Sequence, residues 1–203
     1  MDPSVVLGAA AAIVHLLSYV LYNREMLRGH TRPNTCTWIL WSFLATLNTA
    51  SYVAMSGDWI KAATPIAGCT ACLVTLALTA YHGRLSQLDA FGWITLGIGL
   101  AAGVLWWAGR DAACANLVLQ LAFVISNIPT FRGVWKDPAV ERALPWFGFG
   151  LAYALNVVVV LMRWQGQAID LAYPVLSLLA DGGVGLRIVM RRSMLARRVD
   201  AAV

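Results

Sequence analysis

The chain alternates between long apolar stretches and short polar connections. Seven of the apolar stretches are long enough for a hydrocarbon core of roughly 30 Å, which takes about 17 to 25 helical residues. They cover residues 4–22, 36–55, 62–82, 90–108, 113–131, 145–163 and 169–190. Because lipid offers the backbone no hydrogen-bonding partner, each stretch is expected to be a helix, whereas a barrel would need alternating strands of about ten residues. The pattern predicts an all-α membrane protein with seven transmembrane helices.

Composition agrees with a membrane location. Of the 203 residues, 60 % are hydrophobic and only 12 % are charged, and the mean hydropathy is +0.68, which lies outside the range of soluble globular proteins. The connections are short, so a single compact unit is expected. The first residues, MDPSVV, lack the cationic segment of a signal peptide, so the first helix is expected to stay in the mature protein.

The distribution of lysine and arginine predicts the orientation. Twelve of the fifteen cationic residues fall on the side that holds the first, third and fifth connections and the C-terminus. They are Arg24, Arg28, Arg32, Arg84, Arg132, Lys136, Arg142, Arg187, Arg191, Arg192, Arg197 and Arg198, against Lys61, Arg110 and Arg163 on the other side. Cytoplasmic loops carry the excess of cations, so we expect a multi-pass protein of the cell inner (plasma) membrane with its N-terminus outside. The net charge of +5 then reflects topology and contact with anionic lipid, and no nucleic-acid partner is expected.

The sequence also contains an internal repeat. Residues 17–29, LSYVLYNREMLRG, resemble residues 121–133, LAFVISNIPTFRG. The gap-free identities are Leu17/Leu121, Val20/Val124, Asn23/Asn127, Arg28/Arg132 and Gly29/Gly133, with Tyr19/Phe123, Leu21/Ile125 and Leu27/Phe131 similar. Four extra residues in the second copy then align Trp38/Trp146, Trp41/Phe149, Leu47/Leu155 and Asn48/Asn156, and one more aligns Pro65/Pro174. Three helices are therefore duplicated.

The fourth helix is left over from this duplication, and topology explains it. Three spans end on the opposite side from where they began, so one further crossing lets the second triplet run in the same direction as the first. Parallel repeats of this kind are related by an axis along the membrane normal. The predicted fold is two parallel triple-helix bundles, residues 1–83 and 113–203, joined by a linker helix within 84–112.

The 3 + 1 + 3 arrangement resembles the PQ-loop superfamily, which includes the SWEET (MtN3/saliva) sugar transporters. The closest motif is NIPTFRGVWKDPAVERALPWFGFGLAYALN in the second copy, although Thr130 replaces the family's glutamine and Glu25–Met26 replace the Pro-Gln pair in the first copy. The resemblance implies a transporter that moves a small polar solute by alternating access between the two repeats, without a cofactor. Two alternatives stay open: a vitamin-precursor carrier of the nicotinamide riboside type, and a non-transporting PQ-loop scaffold or sensor.

Aromatic and amide side chains share one face of the second and sixth spans. Helical spacing groups Trp38, Trp41, Ala45 and Asn48 on one helix, and Trp146, Phe149, Tyr153 and Asn156 on its counterpart. Flat apolar walls with a few amides suit a small neutral solute, so we predict that these faces oppose each other and bind it. In the alternative reading, Trp38 and Trp146 are interface-belt aromatics and the asparagines are interhelical contacts.

The fifth span adds a stripe of amides. Asn116, Gln120 and Asn127 lie on one face, and the repeat places Asn23 at the position equivalent to Asn127. An unsatisfied amide in hydrocarbon is costly, so these side chains are expected to meet other helices or water. We count Asn23, Gln120 and Asn127 among the candidate solute-binding residues.

Three prolines are candidate hinges. Pro129 frees a backbone carbonyl and favours a bend in the fifth span, or else marks the end of that helix. Pro65 and Pro174, near the outer starts of spans three and seven, are either helix-start residues or outer hinges.

Asp181 is an acid about midway along the seventh span, with Tyr173 and Ser177 on its face. Because an ionised acid facing lipid costs roughly 3 kcal/mol or more, Asp181 is expected to face inward. His15 lies at similar depth, and the two residues are candidates for proton coupling. The alternative for His15 is a packing histidine that bonds a neighbouring carbonyl.

Other classes of protein find less support. A retinal protein needs a lysine in its last helix, whereas Lys61 and Lys136 are both at loops. The histidines are scattered, so neither an enzyme nor a metal site is predicted. Cys69 and Cys72 form a CxxC within an apolar span rich in small residues, which favours helix packing over redox chemistry.

Gly99 and Gly103 form a GxxxG on the linker helix. This motif predicts close packing against a triplet or against another protomer, so a homo-oligomer stays possible.

Overall fold

The computed structural model describes residues 2–31, 35–82 and 90–200, with no side-chain description for residues 35–37, 91–92 and 196–200. Seven α-helices lie in these ranges: α1 Pro3–Leu27, α2 Thr35–Ser56, α3 Ala63–Tyr81, α4 Ala90–Gly109, α5 Ala112–Lys136, α6 Ala143–Met162 and α7 Ala172–Asp200, the last preceded by a 3₁₀ turn at Ala168–Leu171. The all-α prediction with seven helices is confirmed. Arg32 and Arg84 of the charge argument lie outside the described residues, as do the side chains of Cys36, Arg197 and Arg198.

Five of the described helices are long and apolar enough to cross a bilayer on composition alone: α1, α3, α5, α6 and the segment Ala168–Leu195. The apolar part of α4, Trp93–Gly109, is shorter. Helix α2 carries several hydroxyl and amide side chains, and Ser42, Asn48 and Ser51 among them are buried inside the protein. The chain is a multi-pass membrane protein, in which polar positions of α2 are covered by neighbouring helices.

Local sequence sets several helix ends. Asp2 caps α1 by accepting a hydrogen bond from the Ser4 amide at 2.9 Å, and Pro3 follows at the first helical position. Asp111 caps α5 in the same way through the Cys114 amide at 2.9 Å. The basic segment beyond the last predicted span, which ends at residue 190, continues α7 to Asp200.

The helices form a ring around the centre of the molecule. Within each copy the third helix packs between the other two, giving the orders α1–α3–α2 and α5–α7–α6. Helix α1 packs on α6 and α2 packs on α5, which closes the ring. Exchanging the two copies maps this set of contacts onto itself, as expected for two parallel repeats around a pseudo-twofold axis.

The linker helix α4 lies outside the ring against α5 and α2. A Cβ added to Gly99 would sit 2.8 Å from Leu44 Cδ2, and one added to Gly103 would sit 3.8 Å from Leu47 Cδ1. The GxxxG therefore serves close packing of α4 on α2 of the first triplet, the first of the two alternatives for this motif.

The ring has two chemically different ends. At the end where α1 begins, called here the N-terminal end, Arg163 Nε donates to Asp58 Oδ2 at 2.6 Å and Nη1 donates to Asp2 Oδ2 at 3.2 Å. Burial by itself raises the pKa of Asp58, but the hydrogen bonds from Arg163 and from the Lys61 and Ile60 amides outweigh it and hold that pKa below its usual value. These contacts join the start of α1 to the α2–α3 and α6–α7 connections.

The opposite end, called here the basic end, contains the end of α1 and the α5–α6 connection. Glu25 Oε2 lies 2.9 Å from His30 Nδ1 and 3.8 Å from Arg142 Nε. Arg192 of α7 donates to the Pro138 carbonyl at 3.0 Å. The α2–α3 and α6–α7 connections thus lie at one end, and the α5–α6 connection lies at the other.

Candidate functional site

A pocket lies inside the ring and is lined by residues of all six ring helices. Five pairs of equivalent positions in the two copies contribute to its wall, which places it on the repeat axis. These pairs are Tyr19/Phe123, Trp41/Phe149, Ala45/Tyr153, Gly68/Ser177 and Cys72/Asp181. The pocket volume is about 50 Å³, on a scale where one water needs roughly 10–15 Å³. In this conformation it has room for a few waters.

An amide cluster forms one part of the wall at the α2–α5 contact. Asn48 Oδ1 accepts hydrogen bonds from Asn116 Nδ2 at 3.0 Å and from Gln120 Nε2 at 2.9 Å. Asn116 Nδ2 also donates to Ser51 Oγ at 3.0 Å. Asn48 and Gln120 line the pocket, as predicted. Among the described residues, Gln120 Oε1 is buried without a hydrogen-bonding partner.

The predicted place of Asn156 in this pocket is wrong. Asn156 is fully buried, but it is not among the residues that line the pocket, and its amide atoms have no partner among the described residues. The repeat explains the difference: the position of Asn116 corresponds in α1 to Ala12, so the α1–α6 contact lacks the matching amide. The two asparagines therefore do not form one opposing pair.

Asn127 and Asn23, like Asn48 and Asn156, occupy equivalent positions of which only one lines the pocket. Asn127 lines the pocket, donates through Nδ2 to the Phe123 carbonyl at 3.1 Å, and keeps a buried Oδ1 without a partner among the described residues. Asn23 is not part of the wall, because its Nδ2 donates to Thr75 Oγ1 on α3 at 3.0 Å. The placement of Asn23 in the solute pocket is thus a second correction.

Aromatic rings supply most of the remaining wall. Trp41, Phe149 and Tyr153 line the pocket as predicted. Trp41 Nε1 donates to Ser126 Oγ at 2.7 Å, which fixes that ring. Tyr153 OH lies 3.0 Å from Tyr173 OH.

Three further rings were not predicted as site residues, namely Tyr19, Phe123 and Tyr173. The sequence held a signal for each. Tyr19 and Phe123 are an aligned pair of the repeat, and Tyr173 shares the helical face of Asp181.

Asp181 lines the pocket as predicted. His15 is buried but lies outside the wall: its Nδ1 is 3.2 Å from the Thr64 carbonyl oxygen and its ring centroid is 4.9 Å from that of Tyr153. This is the packing arrangement named above as the alternative for His15. No contact between His15 and Asp181 occurs among the described interactions, so the geometry gives no direct proton path between them.

A buried ion pair closes the N-terminal end above the pocket. Lys61 Nζ donates to Asp170 Oδ2 at 2.7 Å, and both side chains are almost completely buried. The offset that aligns Pro65 with Pro174 also aligns Lys61 with Asp170, so the pair bridges equivalent positions of the two copies. Tyr52 OH donates to the Asp170 carbonyl at 3.0 Å and its ring packs on Tyr173. The motifs of the sequence did not indicate this pair, although the alignment that matches Pro65 with Pro174 also matches these two positions.

Aromatic side chains close the basic end. Trp38 and Trp146, another repeat pair, are 2 % and 1 % exposed, which rules out the belt interpretation. Trp41 lies between them at centroid distances of 5.1 and 5.9 Å. Glu141 accepts hydrogen bonds from Tyr22 OH at 3.1 Å and Trp146 Nε1 at 3.2 Å. Burial raises the pKa of Glu141 to about 8, although both hydrogen bonds oppose that rise.

The candidate hinges fall at two kinds of position. Pro129 lies inside α5, which continues to Lys136, so the helix-end reading of this proline is wrong. Pro65 and Pro174 each occupy the third residue of their helix, α3 and α7, as helix-start prolines do. A hinge role for any of the three stays a prediction.

Within the described parts of the chain, no group of three or more His, Cys, Asp or Glu side chains could hold a metal ion. Cys69, Cys72 and Cys114 are free thiols. Cys72 Sγ lies 2.9 Å from Tyr19 OH, which places it in the packing of the wall.

Comparison with known proteins agrees with a multi-pass membrane protein. No family model matches the sequence, and no solved structure matches it. The chain is similar to the ADIPOR-like receptor IZH3 of Eremothecium gossypii, with 21 % identity over 193 residues, covering 79 % of this chain and 45 % of that protein. The chain therefore spans less than half the length of this relative.

Proposed function

We propose that the protein is a transporter that carries a small polar solute by alternating access between its two triple-helix repeats. One observation carries this proposal: three successive layers on the repeat axis are each built from equivalent positions of the two copies. They are the Lys61–Asp170 ion pair, the pocket, and the Trp38/Trp146 closure. A site between two closures on a symmetry axis is what exposure to alternate sides of a membrane requires.

The geometry suggests how the two sides would open. Separation of α3 from α7 at the N-terminal end would part Lys61 from Asp170 and let water reach both charges. Separation of α2 from α6 at the basic end would part Trp41 from Trp146, whose ring centroids are 5.9 Å apart. Both groups are in place here, and the pocket between them is narrow.

Membership of the PQ-loop superfamily belongs to the same proposal. Its support is the 3 + 1 + 3 repeat and the α1–α3–α2 and α5–α7–α6 orders of contact. The excess of cations at the basic end supports a plasma-membrane orientation with that end in the cytoplasm.

Reconstitution into liposomes tests the proposal. Purified protein would be assayed for uptake of labelled sugars, nucleosides, amino acids, vitamin precursors and amines. The variant Trp41→Ala, which opens the pocket wall, should change uptake, whereas Trp107→Ala, whose side chain is 80 % exposed on α4, should not. A protein that moves none of these classes at a rate above empty liposomes would contradict the proposal.

A receptor is the second candidate, and the similarity to a protein named as an ADIPOR-like receptor favours it. A receptor would bind its ligand in the central pocket without moving it across the bilayer. Saturable binding by purified protein, combined with no uptake of the same compound into liposomes, would decide for this candidate.

A further inference from the structure

The central pocket contains a single carboxyl group. Among its lining residues, all of which the structure describes, Asp181 is the only ionisable acid or base apart from tyrosine and cysteine. Asp181 makes no ion pair or hydrogen bond among the described interactions. Ionisation of an intramembrane carboxyl group without a partner is expensive, and the lining supplies no positive group to offset that cost.

Two cations of the described residues are candidates for this positive group, and both have other partners. Lys61 is held by Asp170. Arg187, on the same helix as Asp181, stacks with its guanidinium carbon 3.5 Å from the ring centre of Trp135. No described side chain therefore supplies the missing charge.

Two neutral side chains of the wall also present acceptors. The N–H groups of Trp41, Asn127 and Gln120 donate to protein oxygens. Gln120 Oε1 and Asn127 Oδ1, in contrast, are buried with no donor among the described residues. Beside the donors that remain on Asn48 and Ser177, the wall thus has two unpaired amide oxygens and a carboxyl group for a ligand.

The acid marks a divergence between the copies. The position equivalent to Asp181 in the first copy is Cys72, and both line the pocket. Cys72 is satisfied by Tyr19 OH at 2.9 Å, so the first copy shows that packing at this position needs no charge. The carboxylate is an addition that packing does not explain.

We propose that the ligand of the pocket is a small organic monocation, such as a protonated or quaternary amine. Asp181 pairs with the charge, the faces of Trp41, Phe149 and the pocket tyrosines contact its methyl or methylene groups, and the two amide oxygens accept any N–H. The inference rests on the proposed function only in taking the pocket as the solute site.

Compounds of matched size test whether the charge or the shape of the ligand determines binding. Choline is compared with 3,3-dimethylbutan-1-ol, its uncharged carbon analogue, and phenethylamine with 2-phenylethanol and phenylacetate. Binding of labelled choline or phenethylamine to purified protein is measured, with the neutral and anionic compounds as competitors. We expect at least one cation to bind about tenfold or more tightly than its neutral partner, since an ion pair in this wall contributes about 1.4 kcal/mol or more.

The variant Asp181→Asn keeps the size of the side chain and removes its charge. It should abolish the preference for the cation while leaving binding of the neutral analogue unchanged. Asp111→Asn is the matched control, because asparagine also caps α5 and position 111 lies outside the pocket; its binding should equal wild type. Thermal unfolding in detergent reports whether Asp181→Asn folds, and if it does not, competition on wild-type protein still decides.

Each outcome bears on one proposal. Equal or tighter binding of the neutral or anionic compound, no binding of either cation, or an unchanged preference in Asp181→Asn overturns the inference and leaves a transporter of another solute class open. Selective cation binding without uptake into liposomes supports the inference and contradicts the transporter. Uptake of choline, which carries a permanent charge and does not leak through lipid, supports both.

Discussion

Lys61 and Asp170 occupy equivalent positions in the two copies and carry opposite charges. In a symmetric pair of identical triplets, the same residue would face itself across the axis, and two lysines or two aspartates there would repel. A fused duplicate is free to place one charge on each copy. The Cys72/Asp181 pair shows the same freedom inside the pocket. Single residues thus made a symmetric scaffold chemically asymmetric.

Glu141 offers a test at the residue scale, because its pKa is raised to about 8. In the unfolded chain the pKa of a glutamate is about 4.3, so between these values the folded protein holds a proton that the unfolded chain releases. Stability should therefore fall as pH rises from about 4.5 to 8, by at most about 1.4 kcal/mol per pH unit for one proton. Glu141→Gln should remove this part of the pH dependence and be more stable than wild type near pH 8.

Thermal unfolding in detergent from pH 5 to 8.5 measures this difference. Wild-type protein measured over the same pH range is the reference. If Glu141→Gln and wild type lose stability in parallel over this range, Glu141 is ionised in the folded protein and the prediction is wrong.

At the scale of helices, sequence predicted the elements well and their detailed neighbours poorly. All seven spans were found, because lipid forces each long apolar stretch into a helix. The end of α7 was missed, since a basic amphiphilic segment continues a helix as readily as it ends one. Asn156 and Asn23 were misplaced because the 3.6-residue period gives a face of the helix but not which neighbour covers that face.

The asparagines Asn48 and Asn156 make a matched pair of helix contacts. Asn48 accepts two hydrogen bonds across the α2–α5 contact, whereas Asn156 at the α1–α6 contact has no partner among the described residues. Replacing Asn48 by alanine removes the shared acceptor of two buried hydrogen bonds and should cost about 1–3 kcal/mol. Asn156→Leu removes unpaired polar atoms and should be neutral or stabilising.

Unfolding of the two variants under identical detergent conditions gives the comparison. The difference between them matters more than either value, because expression and detergent affect both alike. A loss for Asn156→Leu as large as that for Asn48→Ala would mean that Asn156 has a partner, such as water, that sustains the α1–α6 contact.

Contact between α1 and α3 depends on a glycine. A Cβ at Gly68 would lie 2.7 Å from His15 Cε1, closer than real contacts allow. His15 is packed by Tyr19, Phe149 and Tyr153, so its ring has little room to move. Gly68→Ala should therefore destabilise the protein by about 1–3 kcal/mol.

A control for this substitution lies on α4, where a Cβ at Gly97 would meet nothing within 4 Å. Gly97→Ala should be neutral or slightly stabilising, since alanine favours a helix over glycine by about 1 kcal/mol. Equal thermal stability of the two variants would show that α1 and α3 separate easily at His15.

For the whole molecule, the repeat predicted more than any single motif. Two copies in parallel with a linker between them anticipate the closed ring and a pocket on its axis. The sequence does not predict what closes the pocket, because Lys61 precedes the third span by one residue, as a loop residue would, and Asp170 belongs to no motif. The ion pair follows only when the offset of Pro65 and Pro174 is carried four residues back toward the loops.

A last prediction tests whether the Lys61–Asp170 pair opens during transport or only holds the two copies together. A buried ion pair is weak evidence for stability, since apolar residues of similar volume are often as stable or more so. Its particular property is that charges tolerate water, so the pair can part when the N-terminal end opens. An apolar pair at the same positions would resist opening. Lys61→Met/Asp170→Leu should therefore fold as well as wild type and lose about tenfold or more of its uptake into liposomes, a barrier increase of about 1.4 kcal/mol.

The exchanged pair Lys61→Asp/Asp170→Lys keeps both charges and should keep most of the uptake. The pocket supplies its own reporter of access, because Cys69 and Cys72 line it. In this experiment Cys36 and Cys114 are replaced by serine, and a membrane-impermeant thiol reagent is added at the N-terminal end. The reagent should modify Cys69 and Cys72 of the exchanged-pair variant at the wild-type rate. It should modify those of the apolar-pair variant about tenfold more slowly, for the same reason as the uptake. Normal uptake and normal labelling in the apolar-pair variant would mean that Lys61–Asp170 only holds the two copies together. The protein would then have to open along the α1–α6 or the α2–α5 contact.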